Sequence, residues 1–260
     1  MPYVKERPWP ESGSISAALG SFQAEVRFYR EIAPVVNIRV PLCYEAVCGP
    51  DGTRLVLEDL SSWREGGKPE AVAHELQKLH KAWEGQADRL WPWLRPAGAA
   101  VDLIGRLYDE TWPRLAMHRT MPEAVRACGW SLRGRVEEAQ RLLASIPGRT
   151  LVHGDASGTN VRTSSDGIVA FLDWEDVSCL PAAVDVAWFL VSTVESRDWC
   201  RTIDAYGPLP GLPAALPSAL VQGFLSLAEV VAHGEEPDGA SAAESWLRRL
   251  EHGVKMAAMP

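Results

Sequence analysis

A short β-like stretch set inside a helical region narrows the folds open to this chain. Residues 150–173 hold an apolar strand at Thr150–His153, then two runs, Val161–Thr163 and Ile168–Leu172, on either side of Ser-Ser-Asp-Gly. That turn sequence predicts a hairpin. Helices flank the stretch. Pro69–Trp83 opens on proline and repeats apolar residues at Val72, Leu76, Leu79 and Trp83, the spacing of one helix face. Val101–Leu115 repeats through Ile104, Tyr108, Trp112 and Leu115, and Leu132–Ile146 ends at Pro147-Gly148. Further helices are expected over 182–195, 214–233 and 242–256.

The first 60 residues read differently. Tyr3–Glu6 is strand-like and runs into Pro8 and Pro10. Ser21–Ile32 is helical through Phe22, Val26, Tyr29 and Ile32, and Pro34 ends it. Runs at Val35–Val40, Cys43–Val47 and Arg54–Leu57, with the turn Gly49-Pro50-Asp51-Gly52, predict a small antiparallel sheet. The expected class is α+β and bilobal: a β-rich N-lobe over 1–60, a linker near 58–68, and a mostly helical C-lobe over 61–260 that carries the hairpin. A cleft is expected between the two.

At 260 residues and 47% hydrophobic, the chain can bury a large core. No apolar run is expected to span a bilayer; the best candidate, Val184–Val194, meets Glu195 at once. The N-terminus shows no apolar signal segment. Five cysteines form no CxxC pair, which argues for a reduced, cytoplasmic setting and against a disulfide or zinc framework. A net charge of −8 disfavours nucleic acid and anionic membranes as partners. Residues 1–170 balance 21 acidic against 21 basic side chains, whereas 171–260 carry 13 against 5 and so hold the whole excess.

Two segments hold the candidate chemistry: Leu151-Val-His-Gly-Asp155-Ala-Ser-Gly-Thr-Asn160 and Phe171-Leu-Asp173-Trp-Glu175. Asp155 follows a strand, Asn160 stands where the hairpin begins and Asp173 where it ends. A hairpin returns its last residue to its first, so the three should be neighbours. Mg²⁺ prefers oxygen ligands, one or two carboxylates with phosphates and waters. An amide oxygen and a carboxylate at a hairpin mouth suit it, and a further carboxylate can orient a hydroxyl and take its proton. Taken singly, the three also read as a helix cap, a turn Asn and a strand-end Asp; their joint spacing carries the argument.

Asp, then Asn five residues on, then Asp after the next hairpin resembles the catalytic apparatus of protein kinases. The His-Gly-Asp and Asp-Trp-Glu variants resemble the aminoglycoside phosphotransferase family, which includes choline-kinase-like and other small-molecule kinases. The resemblance implies a protein-kinase-like fold, ATP (or GTP) and Mg²⁺ as cofactors, Asp155 as catalytic base or orienter, and Asn160 and Asp173 as Mg²⁺ ligands. It implies that Lys5 of Tyr-Val-Lys-Glu holds the α/β-phosphates, paired with Glu25 of the following helix; Glu31 is the rival partner. Glu58, Asp59 and Leu60 fall where the hinge would meet adenine through its backbone. His153 would orient the loop and Asp185 would support it, while His80 reads as structural.

The resemblance fails at the front. The family carries two strands and a phosphate-covering loop ahead of the lysine. Here Met1-Pro2-Tyr3-Val4 precede Lys5, and residues 1–50 contain no Gly-rich loop. A mis-assigned start, a truncation, a substitute cover and a loss of catalysis each account for that. An N-lobe shortened before the lysine strand would also expose a sheet edge at Tyr3–Glu6, which a homodimer would cover.

The expected activity is ATP-dependent transfer of the γ-phosphate to a hydroxyl of a small molecule. The alternative is a pseudokinase-like binding or regulatory protein without the phosphate lid. A metal-dependent hydrolase ranks last, because the six histidines show no ligand spacing. The acidic residues Glu175, Asp176, Glu195, Asp198, Asp204, Glu235, Glu236 and Asp238 would draw a cationic acceptor such as an aminoglycoside, the chemistry of antibiotic resistance. They read equally as a solvated acidic face, and a neutral acceptor stays open. Trp188, Trp199 and Trp246 would line a pocket or fill the core.

Overall fold

The structure is a computed structural model that describes the backbone of residues 1–232 and 237–257, with side chains throughout except at 237–241. Its first sheet joins β1 (Tyr3–Pro8), β2 (Cys43–Cys48) and β3 (Gly52–Leu57), all antiparallel, in the order β1-β3-β2. Lys5 sits opposite Leu55 and Arg7 opposite Thr53, so the two cations share one face of β1. At the far end of that pairing, a Cβ on Gly52 would lie 2.0 Å from the Arg7 carbonyl oxygen, so only glycine fits. The strand expected over 35–40 is a connector with one isolated bridge, Arg39 to Ala170, and β1 takes its place in the sheet. Pro34 and Pro41 bracket that run and withhold the amide donors a ladder needs.

Helix α1 (Ile15–Leu19) starts at Ser14, whose Oγ accepts the Ala17 amide at 3.2 Å. Helix α2 (Ser21–Arg27) continues as a π turn over Phe28–Ile32 and packs on β2 and β3. It buries Val26, Tyr29 and Ile32 of the expected spacing together with Phe28, while Phe22 is half-buried. Phe28 stacks on Trp174 with centroids 4.0 Å apart, which ties the helix to the segment after Asp173.

The embedded hairpin forms as expected. β6 (Val161–Thr163) pairs antiparallel with β7 (Val169–Phe171), and the short β4 (Arg64–Glu65) adds to β6. Val161 faces Phe171, which leaves Asn160 and Leu172 side by side at the open end. β5 (Thr150–Val152) stays outside this sheet and pairs with β8 (Ser178–Leu180). The catalytic-loop candidate therefore hangs between two small sheets.

The helical remainder comprises α3 (Pro69–Trp83), α4 (Ala87–Leu90), α5 (Val101–Leu115), α6 (Glu123–Leu132), α7 (Val136–Ser145), α8 (Ala183–Ser192), α9 (Trp199–Tyr206), α10 (Leu212–Ala232) and α11 (Pro237–Ala257). The single helix expected over 132–146 is the end of α6 and all of α7, separated where Gly134 turns at φ +68°. Helix α10, at 21 residues, is longer than the apolar run picked from sequence, and by length and composition it could cross a membrane. In the structure it packs against α5, α7, α8 and α11, with Leu216, Leu220 and Phe224 in the core.

Candidate active site

Asp185 organises the loop that carries Asp155. It lies in the first turn of α8 and is fully buried. Its Oδ2 accepts the His153 amide at 2.7 Å and its Oδ1 the Gly154 amide at 2.8 Å. His80 of α3 donates from Nε2 to the same Oδ2 at 3.0 Å, which leaves its Nδ1 to accept the Tyr206 hydroxyl at 2.9 Å. Burial pushes this carboxyl up, but the His80 bond, the neighbouring imidazoles and the Gly154 amide outweigh it and hold the group below its ordinary range. His80 is thus the anchor of Asp185. Gly154 sits at φ +87°, and a Cβ there would fall 2.2 Å from the Asp176 carbonyl, so the loop lies flush against the segment after Asp173.

The His153 ring is equally committed. Nε2 donates to the Leu172 carbonyl at 2.8 Å and Nδ1 accepts the Asp155 amide at 3.2 Å. With both nitrogens engaged and the residue fully buried, His153 orients the loop and has no site left for a substrate proton. Asp155 is presented beyond it. Its Oδ2 accepts Asn160 Nδ2 at 2.9 Å, and its Oδ1 accepts Trp188 Nε1 at 2.5 Å. From sequence alone Trp188 fits a pocket or the core equally. Its position three residues after Asp185 on α8 puts both on one helix face, and that was the available signal.

Asn160 also bonds the Asp155 carbonyl through Nδ2 at 3.0 Å, so its Oδ1 is the atom left to meet a cation. Its own carbonyl accepts the Leu172 amide at 2.8 Å, which sets Asp173 beside it. Asp173 adopts φ +58°, a left-handed backbone that non-glycine residues seldom take. From there its Oδ1 reaches Lys5 Nζ at 2.7 Å. Lys5 also bonds both Glu25 oxygens, at 2.9 and 2.7 Å. Glu31 instead pairs with Arg27 and accepts Trp93 Nε1, each at 2.8 Å. The Glu25 carboxyl is raised to about 7: burial and the Asp173 charge push it up, and Lys5 offsets them only in part.

Arg7 also went unnoticed in sequence, although its i, i+2 spacing from Lys5 on a strand marks it. Its guanidinium pairs with Glu175 and lies 3.6 Å from Asp173 Oδ2. A cavity of about 280 Å³ opens in front of these groups, lined by Lys5, Arg7, Glu25, Asn160 and Asp173 and floored by Glu58, Asp59 and Leu60. The hinge side chains serve the chain itself. Glu58 pairs with Arg39 at 2.6 Å and accepts the Leu42 amide at 3.0 Å, and Asp59 accepts the Ser61 amide at 2.8 Å. Two backbone groups there are also taken, the Glu58 amide by the Leu42 carbonyl at 2.8 Å and the Leu60 carbonyl by the Trp63 amide at 3.0 Å.

Two observations suit this cavity to a nucleotide and a hard cation. Tyr29, on its wall, has a buried hydroxyl with no hydrogen-bond partner. The donor set is amide and carboxylate oxygen beside an ammonium and a guanidinium, the mixture that Mg²⁺ and phosphate require.

A second cavity, of about 270 Å³, lies across the loop and is lined by Gly154, Glu175, Asp176, Arg95, Gln140 and Gln222. Asp176 pairs with Arg95 at 3.1 Å and Glu175 with Arg7. Glu195 and Asp198 do not line it. Glu195 lies 4.0 Å from Arg249 and accepts Ser245 Oγ at 3.3 Å, and Asp198 pairs with Arg201. Glu235 and Glu236 lie outside the described residues, as does the Asp238 side chain. Trp199 is core, while Trp188 and Trp246 lie with ring centroids 6.0 Å apart.

Comparison with known proteins agrees with this geometry. Residues 11–219 match the model of the phosphotransferase enzyme family. No curated protein matches the chain in sequence. Among solved structures, the spectinomycin phosphotransferase APH(9)-Ia, in complex with ADP and spectinomycin, superposes with a TM-score of 0.56 at 11% identity, covering 98% of this chain and 84% of that one. An aminoglycoside phosphotransferase from Alicyclobacillus acidocaldarius gives 0.51 at 17% identity, covering 98% and 84%. The choline kinase LicA from Streptococcus pneumoniae gives 0.54 at 16%, covering 97% and 85%. These likenesses establish a protein-kinase-like fold, and the match over most of its length places the chain in the phosphotransferase enzyme family.

Proposed function

We propose that this chain is a cytoplasmic kinase that moves the γ-phosphate of ATP or GTP to a hydroxyl of a small molecule. One observation carries the reading: an unbroken series of bonds runs from Asp155 through Asn160 and Leu172 to Asp173 and Lys5. It links a carboxylate that can take a proton to a cation that can hold phosphate.

Lys5, kept extended by Glu25, would bind the α/β-phosphates, and the hinge backbone at 58–60 would receive the base. Asn160 Oδ1 and Asp173 would hold Mg²⁺, which when bound neutralises phosphate charge. Asp155, fixed by Trp188 and Asn160, would orient the acceptor hydroxyl. As transfer proceeds, the hydroxyl oxygen bonds to phosphorus and the bond to the nucleoside diphosphate breaks. The diphosphate leaves with that electron pair, and Asp155 accepts the hydroxyl proton for release to solvent. Most of the gain would come from positioning and charge stabilisation.

The second cavity would take the acceptor. Glu175 and Asp176 on its wall would favour a cationic molecule of the kind suggested by the spectinomycin and choline enzymes of this fold. Among the described residues β1 pairs with β3 alone, so a second copy could cover its other edge. A binding protein with impaired catalysis is the second reading; it draws on the Lys5–Asp173 pair, in which each group satisfies the other.

A panel assay of nucleoside diphosphate release separates the two. Aminoglycosides, basic peptides, nucleosides and choline-like alcohols are offered with ATP or GTP and Mg²⁺. Release that depends on one acceptor class supports the kinase. Nucleotide-induced thermal stabilisation without release for any acceptor supports the binding protein.

A further inference from the structure

One ion pair joins the linings of the two cavities. Arg7 lines the nucleotide-side cavity and Glu175 lines the other, and the two side chains meet between them. Lys5 and Arg7 stand two residues apart on one face of β1, and both address Asp173. The Arg7 guanidinium is held over the Phe22 ring at 4.7 Å, which fixes its plane while leaving it a quarter exposed. Three carboxylates, Glu25, Asp173 and Glu175, place oxygens within 4.8 Å of one another around these two cations. Lys5 is shared between two of them, whereas Arg7 leans chiefly on Glu175.

We infer that Arg7 binds the terminal phosphate of the nucleoside triphosphate and that Glu175 holds Arg7 when no triphosphate is present. This inference rests on the nucleotide-binding reading above. A guanidinium binds a phosphate through two parallel bonds, at least as well as it binds a carboxylate. Its place where the two linings join puts it where a phosphoryl group would pass from one cavity to the other. A second cation there would add charge stabilisation at the transferring phosphate. Lys5 would then hold the inner phosphates and Arg7 the outer one. Exchange of Arg7 from Glu175 to phosphate would link triphosphate binding to the acceptor-side wall.

The test is equilibrium titration of ATP, ADP and adenosine, each with and without Mg²⁺, into the wild type, Arg7→Met, Glu175→Gln and the double variant. Arg7→Met is expected to weaken ATP about tenfold or more, ADP far less and adenosine not at all. Glu175→Gln, which keeps Arg7 and frees it, is expected to tighten ATP binding, and that gain should vanish in the Arg7→Met background. Equal losses for all three ligands, or a Glu175→Gln gain that survives without Arg7, would overturn the inference. If the wild type binds none of the three, the proposed kinase function itself fails.

Discussion

The loop around Asp155 and the cavity in front of Lys5 are built from opposite materials. The loop is held by a buried carboxylate, two backbone amides and two imidazoles, and Asp185, His153 and His80 are all buried. Lys5, Arg7, Asp173 and Glu175 form ion pairs that are partly exposed. The first arrangement is preorganised: breaking any bond there strands a buried polar group. The second is exchangeable, because each cation could trade a carboxylate for a phosphate at little cost. The proposed transfer would use both, one part fixed against the acceptor and one that opens for the nucleotide.

Substitutions on the two sides should therefore fail in different ways. Asp155→Ala is expected to lower turnover about 10²–10⁴-fold in a diphosphate-release assay, with no change in fold by circular dichroism. Asp185→Ala strands the His153 and Gly154 amides and the His80 ring. Its expected cost is about 3–5 kcal/mol in denaturant unfolding. Because the Asp185 carboxyl titrates below its ordinary range when folded, its contribution is present above about pH 4 and lost as pH falls through the folded value. An Asp185→Asn variant should accordingly lose less stability than wild type between pH 5 and pH 3, in a series of melts. Trp188→Phe removes one donor from Asp155 and should lower kcat about tenfold with KM little changed. At the small end, Arg54→Ala on the open sheet face, which severs pairs with Glu6 and Glu45, should leave the melting temperature unchanged.

What could be read in advance follows the same division. Helices α3 and α5 begin and end where the apolar period places them, because that period is local; α3 opens on Pro69, while α5 runs through Pro113 in its last turn. The meeting of Asn160 with Asp173 was legible because a hairpin constrains its own ends. The partnership of β1 with β3 was less so, since it joins residues some fifty apart and nothing local specifies it. Chain separation also hid the Trp188 donor to Asp155 and the reach of Arg7 to Glu175, which depend on where α8 and β1 lie against the hairpin. The π turn at Phe28–Ile32 keeps Tyr29 and Ile32 on the buried side, so the helix pattern held although the hydrogen bonding changed.

On the proposed function, nucleotide binding belongs to the cavity before Lys5 and turnover to the loop around Asp155. The most direct test of that division is ATP affinity, measured by titration calorimetry, for wild type, Lys5→Met and Asp155→Ala. Lys5→Met is expected to weaken ATP about tenfold or more, and Asp155→Ala to bind within about twofold of wild type while its turnover falls about 10²–10⁴-fold. An Asp155→Ala protein that loses ATP as severely as Lys5→Met, or a Lys5→Met protein that keeps it, would contradict the account.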